Sequence, residues 1–368
     1  MNHFKYIIIS PNSEWGGGEK SLWNFLASLP KEVVSQSVIF VPFKGEFYKK
    51  LKSQGLNLYP FKMPYFLGIK IVHWKHFFSW IKGIYTLYRA KNIQWIYFNG
   101  LYQSELTIVI IKYLLRKKII VHVRNLFASY NILRKSALLK ADKIFCISKA
   151  VKENIPIKYH SKIVVMFNIV NHSITMKELD YPFSCKERKF RCAIFSRISP
   201  EKGQMDFLKI AKAYLSKNMD SEFHVFGSPL YGSEKYQKSL IEFVRIHQLD
   251  KHIHFHGYVE KVLNEIIKMD CVFCCSENEP LGRVIMEAMS IGRIVIANRT
   301  GGPLELIQDR VNGFLTNIEN HDDSVRILEY CRDNPHIIKK ISFAAYEFSQ
   351  EHFSPEKYAR RWLQEVSL

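Results

Sequence analysis

The sequence predicts an α/β protein built on doubly wound parallel sheets. Short apolar runs alternate with longer amphipathic segments along nearly the whole chain, the pattern of parallel βα units. The alternation lapses once, between Asn171 and Phe190, and then restarts. A length of 368 residues is too great for one ordinary domain and suits two of about 150–200 residues each. The expected layout is a first Rossmann-like domain over residues 1–170, a linker over 171–190, and a second Rossmann-like domain over 191–345. Helices over 346–368 are expected to pack back toward the first domain.

In chain order, Phe4–Ser10 reads as a strand, followed by a loop containing Gly16, Gly17, Gly18 and Glu19 and a helix over Lys20–Leu29. Strand, glycine loop and helix together set backbone N–H groups and a positive helix end where a phosphate can sit. Glu19 stands where a P-loop requires glycine, and the spaced glycines of a dinucleotide fingerprint are missing. A plain tight turn is the alternative. Ser37–Phe43 is a strand and Phe47–Gln54 a helix ended by Gly55. Over Ile71–Lys91 the spacing predicts an aromatic helix, with Trp74, Phe77, Phe78, Ile81, Ile84, Tyr85 and Tyr88 on one face and Lys75, Lys82 and Arg89 off it. That face is expected to pack into the domain; membrane contact, with Phe66 and Trp80 as surplus aromatics, is the alternative. Trp95–Phe98, Ile119–Val123, Lys143–Ile147 and Lys162–Phe167 read as further strands and Glu105–Leu115 as a helix. His122 lies at the end of one of these strands, Ser148 and Asn168 at the ends of others.

The second series opens with strand Arg191–Phe195, then Arg197, Glu201, Lys202 and Gly203, and a helix to about Lys217. Strands Glu222–Phe226, His252–His256, Cys271–Cys275, Ile294–Ala297 and Phe314–Thr316 follow, separated by helices over Gly232–His247, Val262–Lys268 and a segment carrying Glu287. A last helix of the series covers Asp322–Asn334. The Cys271–Cys275 run lacks a second Cys or His pair at ligand spacing and is expected to be a core strand.

Composition narrows the class. Hydrophobic residues make up 47% and charged residues 24% of the chain, which fits a soluble globular protein and excludes wholesale disorder. The apolar run Thr107–Leu115 is interrupted by Lys112 and is far shorter than the roughly 20 residues a membrane helix needs. The first ten residues read as a strand without a cleavage site, so no signal peptide is expected. Seven cysteines, an odd number without a regular framework, suggest free thiols in a reducing cytosol. Charge is uneven: residues 1–168 carry 26 Lys+Arg against 7 Asp+Glu, whereas residues 169–368 carry 27 of each. The first half therefore calls for a polyanionic partner, either nucleic acid or an anionic membrane surface.

In open α/β sheets ligands bind beyond the carboxyl ends of the strands. Gly16–Glu19, His122, Arg197, Lys202, Gly227, Gly257, Glu279 and Gly301 all fall at or just after such ends, drawn from both halves. The expectation is a cleft between two facing domains, with cations and glycine loops for a diphosphate and carboxylates for hydroxyls. At its centre lies Ser276–Gly313, where Glu279 occupies a turn, Glu287 a helix, and Gly301-Gly302-Pro303 a turn after the next strand.

The segment Glu279-Pro280-Leu281-Gly282-Arg283 through Glu287 resembles the glutamate–seven–glutamate signature of the retaining glycosyltransferases of family 4, which have the GT-B fold. Gly16–Glu19, Asn168, Arg197 with Glu201-Lys202-Gly203, and Gly301-Gly302 with Glu305 and Gly313 resemble further motifs of that family. Departures are Ile169 for a glycine, Leu281 for a phenylalanine, and Val123-Arg124 after His122. The resemblance implies that Arg197, Lys202, Gly16, Gly17 and Gly18 hold the donor diphosphate. Glu279 would serve the transferred sugar and Glu287 the ribose, with Pro280, Leu281, Gly282, Arg283, Gly227, Gly257 and Tyr258 lining the sugar and nucleotide. His122 would contact a sugar hydroxyl; a satisfied core histidine is the alternative. It further implies hexosyl transfer from a UDP or GDP sugar with retention, without a cofactor, and the missing Asp-x-Asp pattern agrees with metal independence. The basic half suggests a glycan or polyprenyl-linked acceptor, in lipopolysaccharide or capsule synthesis, on the inner face of the cytoplasmic membrane. Alternatives are a nucleotide-sugar epimerase of the same fold and a basic nucleic-acid-binding protein. No recognised nucleic-acid module accompanies the charge, so no nucleic-acid partner is expected.

Overall fold

The computed structural model describes residues 3–67, 70–72, 76–170, 189–217, 220–229 and 232–367. Two compact units divide the chain. The first comprises Met1–Ile169 with Pro355–Leu368, and the second Val170–Ser354.

The first unit contains β1 (Tyr6–Ile9), α1 (Gly17–Ser28), α2 (Lys31–Ser35), β2 (Ser37–Val41), α3 (Glu46–Ser53), β3 (Leu58–Pro60), β4 (Tyr65–Leu67) and β5 (Lys70–Val72). It continues through α4 (Phe77–Arg89), β6 (Trp95–Phe98), α5 (Glu105–Leu115), β7 (Lys118–Val123), α6 (Ile132–Lys140), β8 (Lys143–Cys146), α7 (Lys149–Asn154) and β9 (Ile163–Val165). Seven strands form one parallel sheet in the order β3-β2-β1-β6-β7-β8-β9. Every residue of β2 and β6 is buried, which is why these strands read as unbroken apolar runs: helices cover both faces of a parallel sheet. Strand order reverses between β1 and β6, so the loops after these two strands diverge and leave room for a ligand.

The second unit contains β10 (Phe190–Phe195), α8 (Gln204–Leu215), β11 (Ser221–Phe226), α9 (Glu234–Ile246), β12 (Ile253–Gly257), α10 (Val262–Ile266) and β13 (Cys271–Cys274). After these come α11 (Arg283–Ser290), β14 (Ile294–Asn298), α12 (Pro303–Leu306), β15 (Phe314–Thr316), α13 (His321–Asp333) and α14 (Pro335–His352). Its six parallel strands run β12-β11-β10-β13-β14-β15, with the reversal between β10 and β13. Phe207, Tyr214, Phe223, Phe273 and Leu328 anchor the core on one face. Cys271 and Cys274 are buried in β13, and the six described cysteines are all free and buried.

The chain then returns to the first unit as α15 (Pro355–Ser367). Trp362 of this helix is 1% exposed, with Phe25 and Tyr6 ring centroids 5.1 and 5.8 Å away. Trp95 donates its indole N–H to the Val366 carbonyl at 2.6 Å, and Lys143 pairs with Glu365 at 2.8 Å. Residues 346–354, expected with the first domain, belong to the second unit, because α14 runs unbroken as far as His352.

The aromatic helix expected over 71–91 starts later. Lys70–Val72 pairs antiparallel with Tyr65–Leu67, and the helix spans Phe77–Arg89. Its orientation also differs from expectation. Trp80, Gly83, Ile84 and Leu87 face the core, while Phe78, Ile81, Tyr85 and Tyr88 are exposed. Trp74, Lys75 and linker residues 171–188 lie outside the described residues.

Candidate active site

In the second unit the two strands at the reversal, β10 and β13, carry their loops side by side. After β10 the chain passes exposed Arg197, turns through a short 3-10 segment at Pro200–Lys202, and enters α8. Gly203 joins turn to helix with φ +69°, and a Cβ there would lie 2.3 Å from the carbonyl oxygen of Cys275, at the end of β13. Only glycine allows this approach. The next residue, Gln204, is fully buried and donates its amide to Ser196 Oγ and to the Arg197 carbonyl, both at 2.8 Å. It thereby fixes the loop that presents Arg197.

This proximity lets Lys202 Nζ meet Glu279 Oε2 at 2.8 Å, with 18% and 16% of the respective side chains exposed. Residues 77 apart in sequence thus form one ion pair at the strand ends. The Glu279 turn is supported from below by the Gly301-Gly302 pair. Gly302 N donates to the Glu279 carbonyl at 2.8 Å, and a Cβ on Gly302 would lie 2.3 Å from Leu281 Cα. These glycines press on backbone, so they act as a cradle for the turn. Leu281 is buried and Pro280 half-buried above them. Gly282 opens α11, on which Arg283 Nε pairs with Glu287 Oε1 at 2.7 Å on the outer face, while Ile285, Met286 and Met289 face the core.

Gly227, Gly257 and Tyr258 lie on the other side of β10, at the ends of β11 and β12; Gly227 N donates to the Gly257 carbonyl at 2.7 Å and Tyr258 is exposed. Beneath these loops lies an aromatic tier that sequence reading missed. Phe195 stacks on Phe226 with centroids 4.5 Å apart, and Phe226 on His256 at 4.3 Å. The available signal was an aromatic ring at or next to the end of three successive strands. His224 continues this surface, its Nδ1 2.9 Å from His256 Nε2. Burial, then the neighbouring His256 and His254, bring its pKa down to about 4.

In the first unit Gly16–Gly18 follow β1 and open α1, and a Cβ on Gly17 would meet nothing within 4 Å. The group that organises the strand ends here is Arg124. Its guanidinium donates to Asn168 Oδ1 at 2.7 Å and to Asn99 Oδ1 at 2.9 Å, and Asn99 donates in turn to the Gly18 carbonyl at 3.3 Å. Glu19 lies buried nearby; burial raises its pKa, against the pull of Arg124 and a hydrogen bond involving Asn12.

The contact role expected of His122 meets a physical obstacle. The ring is 1% exposed within β7. Its Nδ1 lies 3.1 Å from Arg124 Nη2, which can only donate, so Nδ1 accepts there and from the Tyr97 hydroxyl. The proton therefore sits on Nε2, which is buried without a partner among the described residues. Burial, then the Arg124 charge, hold the pKa well below the usual histidine range. In this arrangement His122 is a neutral core residue that positions Arg124, and half-buried Arg124 is the residue that reading the sequence undervalued. Among the described residues no group of three or more His, Cys, Asp or Glu is arranged to hold a metal ion.

Residues 181–348 match the family described as glycosyl transferases group 1. This similarity covers less than half of the chain. Arg197, Lys202, Glu279 and Glu287 all lie within the matched stretch. An uncharacterized glycosyltransferase of Methanocaldococcus jannaschii is 31% identical over 226 residues, covering 61% of this chain and 58% of that protein. A sucrose synthase of Acidithiobacillus caldus is 39% identical over 87 residues, 23% of this chain and 11% of that enzyme. The matched stretches thus span less than two thirds of these relatives. Anabaena HepE, crystallised with UDP and glucose, superposes with a TM-score of 0.82 at 20% identity, over 99% of this chain and 100% of that one. The fold is accordingly GT-B, two Rossmann-like parallel-sheet units without a closed barrel.

Proposed function

We propose that the protein is a retaining, metal-independent glycosyltransferase that moves a hexosyl group from a nucleoside diphosphate sugar to a glycan or lipid-linked acceptor. The observation that carries this reading is the Lys202–Glu279 ion pair, with exposed Arg197 on the adjoining loop. Breaking a sugar–diphosphate bond leaves negative charge on the departing β-phosphate, and fixed cations and N–H donors lower the barrier by meeting that charge. Arg197 and Lys202 are the cations. A bound diphosphate competes with Glu279 for Lys202, so donor binding opens the ion pair and frees the carboxylate toward the sugar, where oxocarbenium charge develops. Glu287, with one oxygen held by Arg283, offers its carboxylate to ribose hydroxyls. Retention follows a front-face course, in which the leaving phosphate takes the acceptor proton. Anabaena HepE has been crystallised with UDP-glucose, which supports a nucleotide-sugar donor of the UDP type. An envelope polysaccharide or lipopolysaccharide core is the acceptor class we favour; a lipopolysaccharide core glycosyltransferase of Rhizobium meliloti is 25% identical over 112 residues, covering 30% of this chain and 33% of that protein.

The test is a thermal-shift panel of UDP, GDP, ADP and their sugars, since a ligand selective for the native state raises the melting temperature with its affinity. One nucleotide class should do so. Glu279→Ala should keep that shift while losing transfer. Near-normal turnover in this variant removes the proposed role of Glu279, and donor turnover without any acceptor would favour an epimerase.

A further inference from the structure

The first unit displays an apolar stripe that its core does not use. On α4, Trp80 turns inward and donates its indole N–H to Thr107 Oγ1 of α5 at 3.0 Å. Phe78, Ile81, Tyr85 and Tyr88 stand on the outer side, each between 46% and 69% exposed. At about 100° per residue these four fall within an arc of about 80°, and Lys82 and Arg89 lie within about 40° of Phe78 along one edge. Both of those cations are exposed. On the neighbouring α5, Leu114 falls within about 20° of Thr107 on the helix surface and is 55% exposed. Along the sequence, charge on either side of α4 has one sign: between Glu46 and Glu105 the chain carries nine Lys and Arg and no acidic residue.

These features select the occupant. Duplex nucleic acid is held through its phosphates and leaves an exposed Phe–Ile–Tyr stripe unburied; single-stranded bases stack on aromatic rings but leave Ile81 unmatched in the middle of the stripe. A second copy docked face to face would set the same basic patch against itself, with no carboxylate between Glu46 and Glu105 to offset it. An anionic bilayer satisfies both halves, since it takes apolar side chains at the headgroup–acyl boundary and cations at the phosphates. Among the described residues no helix is long and apolar enough to cross a membrane, so the contact is one of lying on the surface. We propose that α4 docks this unit on an anionic lipid surface, with Phe78, Ile81, Tyr85 and Tyr88 entering the interface and Lys82 and Arg89 on the headgroups. None of the donor-site residues takes part, so this proposal and the transferase reading fail separately.

The test is co-sedimentation of the full chain with phosphatidylcholine vesicles, with and without phosphatidylglycerol, at low and high salt. The parent should bind only the anionic vesicles, and less at high salt. Each basic residue near such a surface strengthens partitioning about fivefold, so Lys82→Ala with Arg89→Ala should weaken it about thirtyfold. Replacing Phe78, Ile81, Tyr85 and Tyr88 by serine should abolish binding, while an unchanged circular-dichroism spectrum and a single cooperative melt report an intact fold. Should the serine variant not fold, the double alanine variant decides alone. A parent that ignores anionic vesicles overturns the proposal, as do variants that bind like the parent. A dimer in solution that the serine variant dissociates would reassign the stripe to self-association.

Discussion

Gly302 offers a test in which conformation and contact pull in opposite directions. It caps α12 with a helical backbone, φ −58° and ψ −36°, a conformation in which replacing glycine by alanine stabilises by about 0.4–1 kcal/mol through the unfolded chain. A Cβ would lie 2.3 Å from Leu281 Cα, 2.6 Å from Leu281 N and 2.7 Å from the Pro280 carbonyl oxygen. All three are backbone atoms, so no side-chain rotation relieves the overlap. Carbon contacts settle near 3.5 Å, so the 280–281 turn must retreat by about 1 Å. Overpacking of this kind costs about 1–3 kcal/mol, and backbone contacts belong at the upper end. After that gain, Gly302→Ala should lose about 2 kcal/mol. For a unit of this size that lowers the melting temperature by roughly 4–8 °C. The displaced turn carries Glu279, so turnover should fall about 100-fold, the usual effect of a misplacement near 1 Å. Circular-dichroism melts and a nucleotide-release assay read the two effects. An unchanged or raised melting temperature would refute the contact argument, because only the conformational gain would then be felt.

Arg197→Ala should weaken nucleoside diphosphate binding about 10–100-fold, the usual worth of hydrogen bonds to a charged partner; calorimetry showing unchanged affinity would contradict the assignment. Because the His224 pKa is brought down to about 4, the unfolded chain takes up a proton near pH 6.5 that the folded chain refuses until about pH 4. The associated stability is complete above pH 6.5 and is lost on acidification through that window. His224→Gln should flatten the dependence of melting temperature on pH from 7 to 4, and parallel slopes for variant and parent would count against it. Trp362→Ala removes a side chain only 1% exposed and should cost about 3–5 kcal/mol; denaturant unfolding that moves by less than about 1 kcal/mol would show that α15 is not part of the first unit's core.

How much of this was legible follows from what is local. Parallel strands buried on both faces appear as apolar runs, so Trp95–Phe98 and Phe314–Thr316 were readable to the residue. The α4 orientation was not, because both of its arcs are apolar and periodicity cannot say which one the sheet takes: Trp80, Ile84 and Leu87, or Phe78, Ile81 and Tyr85. The β4–β5 hairpin was missed since its short strands sit in the same aromatic run. At the site, glycine and charge types marked the strand ends. The Lys202–Glu279 contact, however, depends on how closely the β10 and β13 loops approach, and that closeness depends on Gly203. His122 shows a related limit. Sequence places it near a strand end, but it lies one residue inside β7 and is buried; Arg124, just past the strand, is half-buried instead.

The return of α15 to the first unit has a consequence for the order of events at synthesis. The core around Phe25 and Trp95 is completed by Trp362 and Val366, which leave the ribosome only after the whole second unit. At roughly 5–20 residues per second the delay amounts to tens of seconds. During that interval the nascent sheet has an uncovered aromatic hollow, while the second unit can already close on itself. The unit made first is thus the one finished last, and a chaperone that shields exposed apolar surface would have its substrate there.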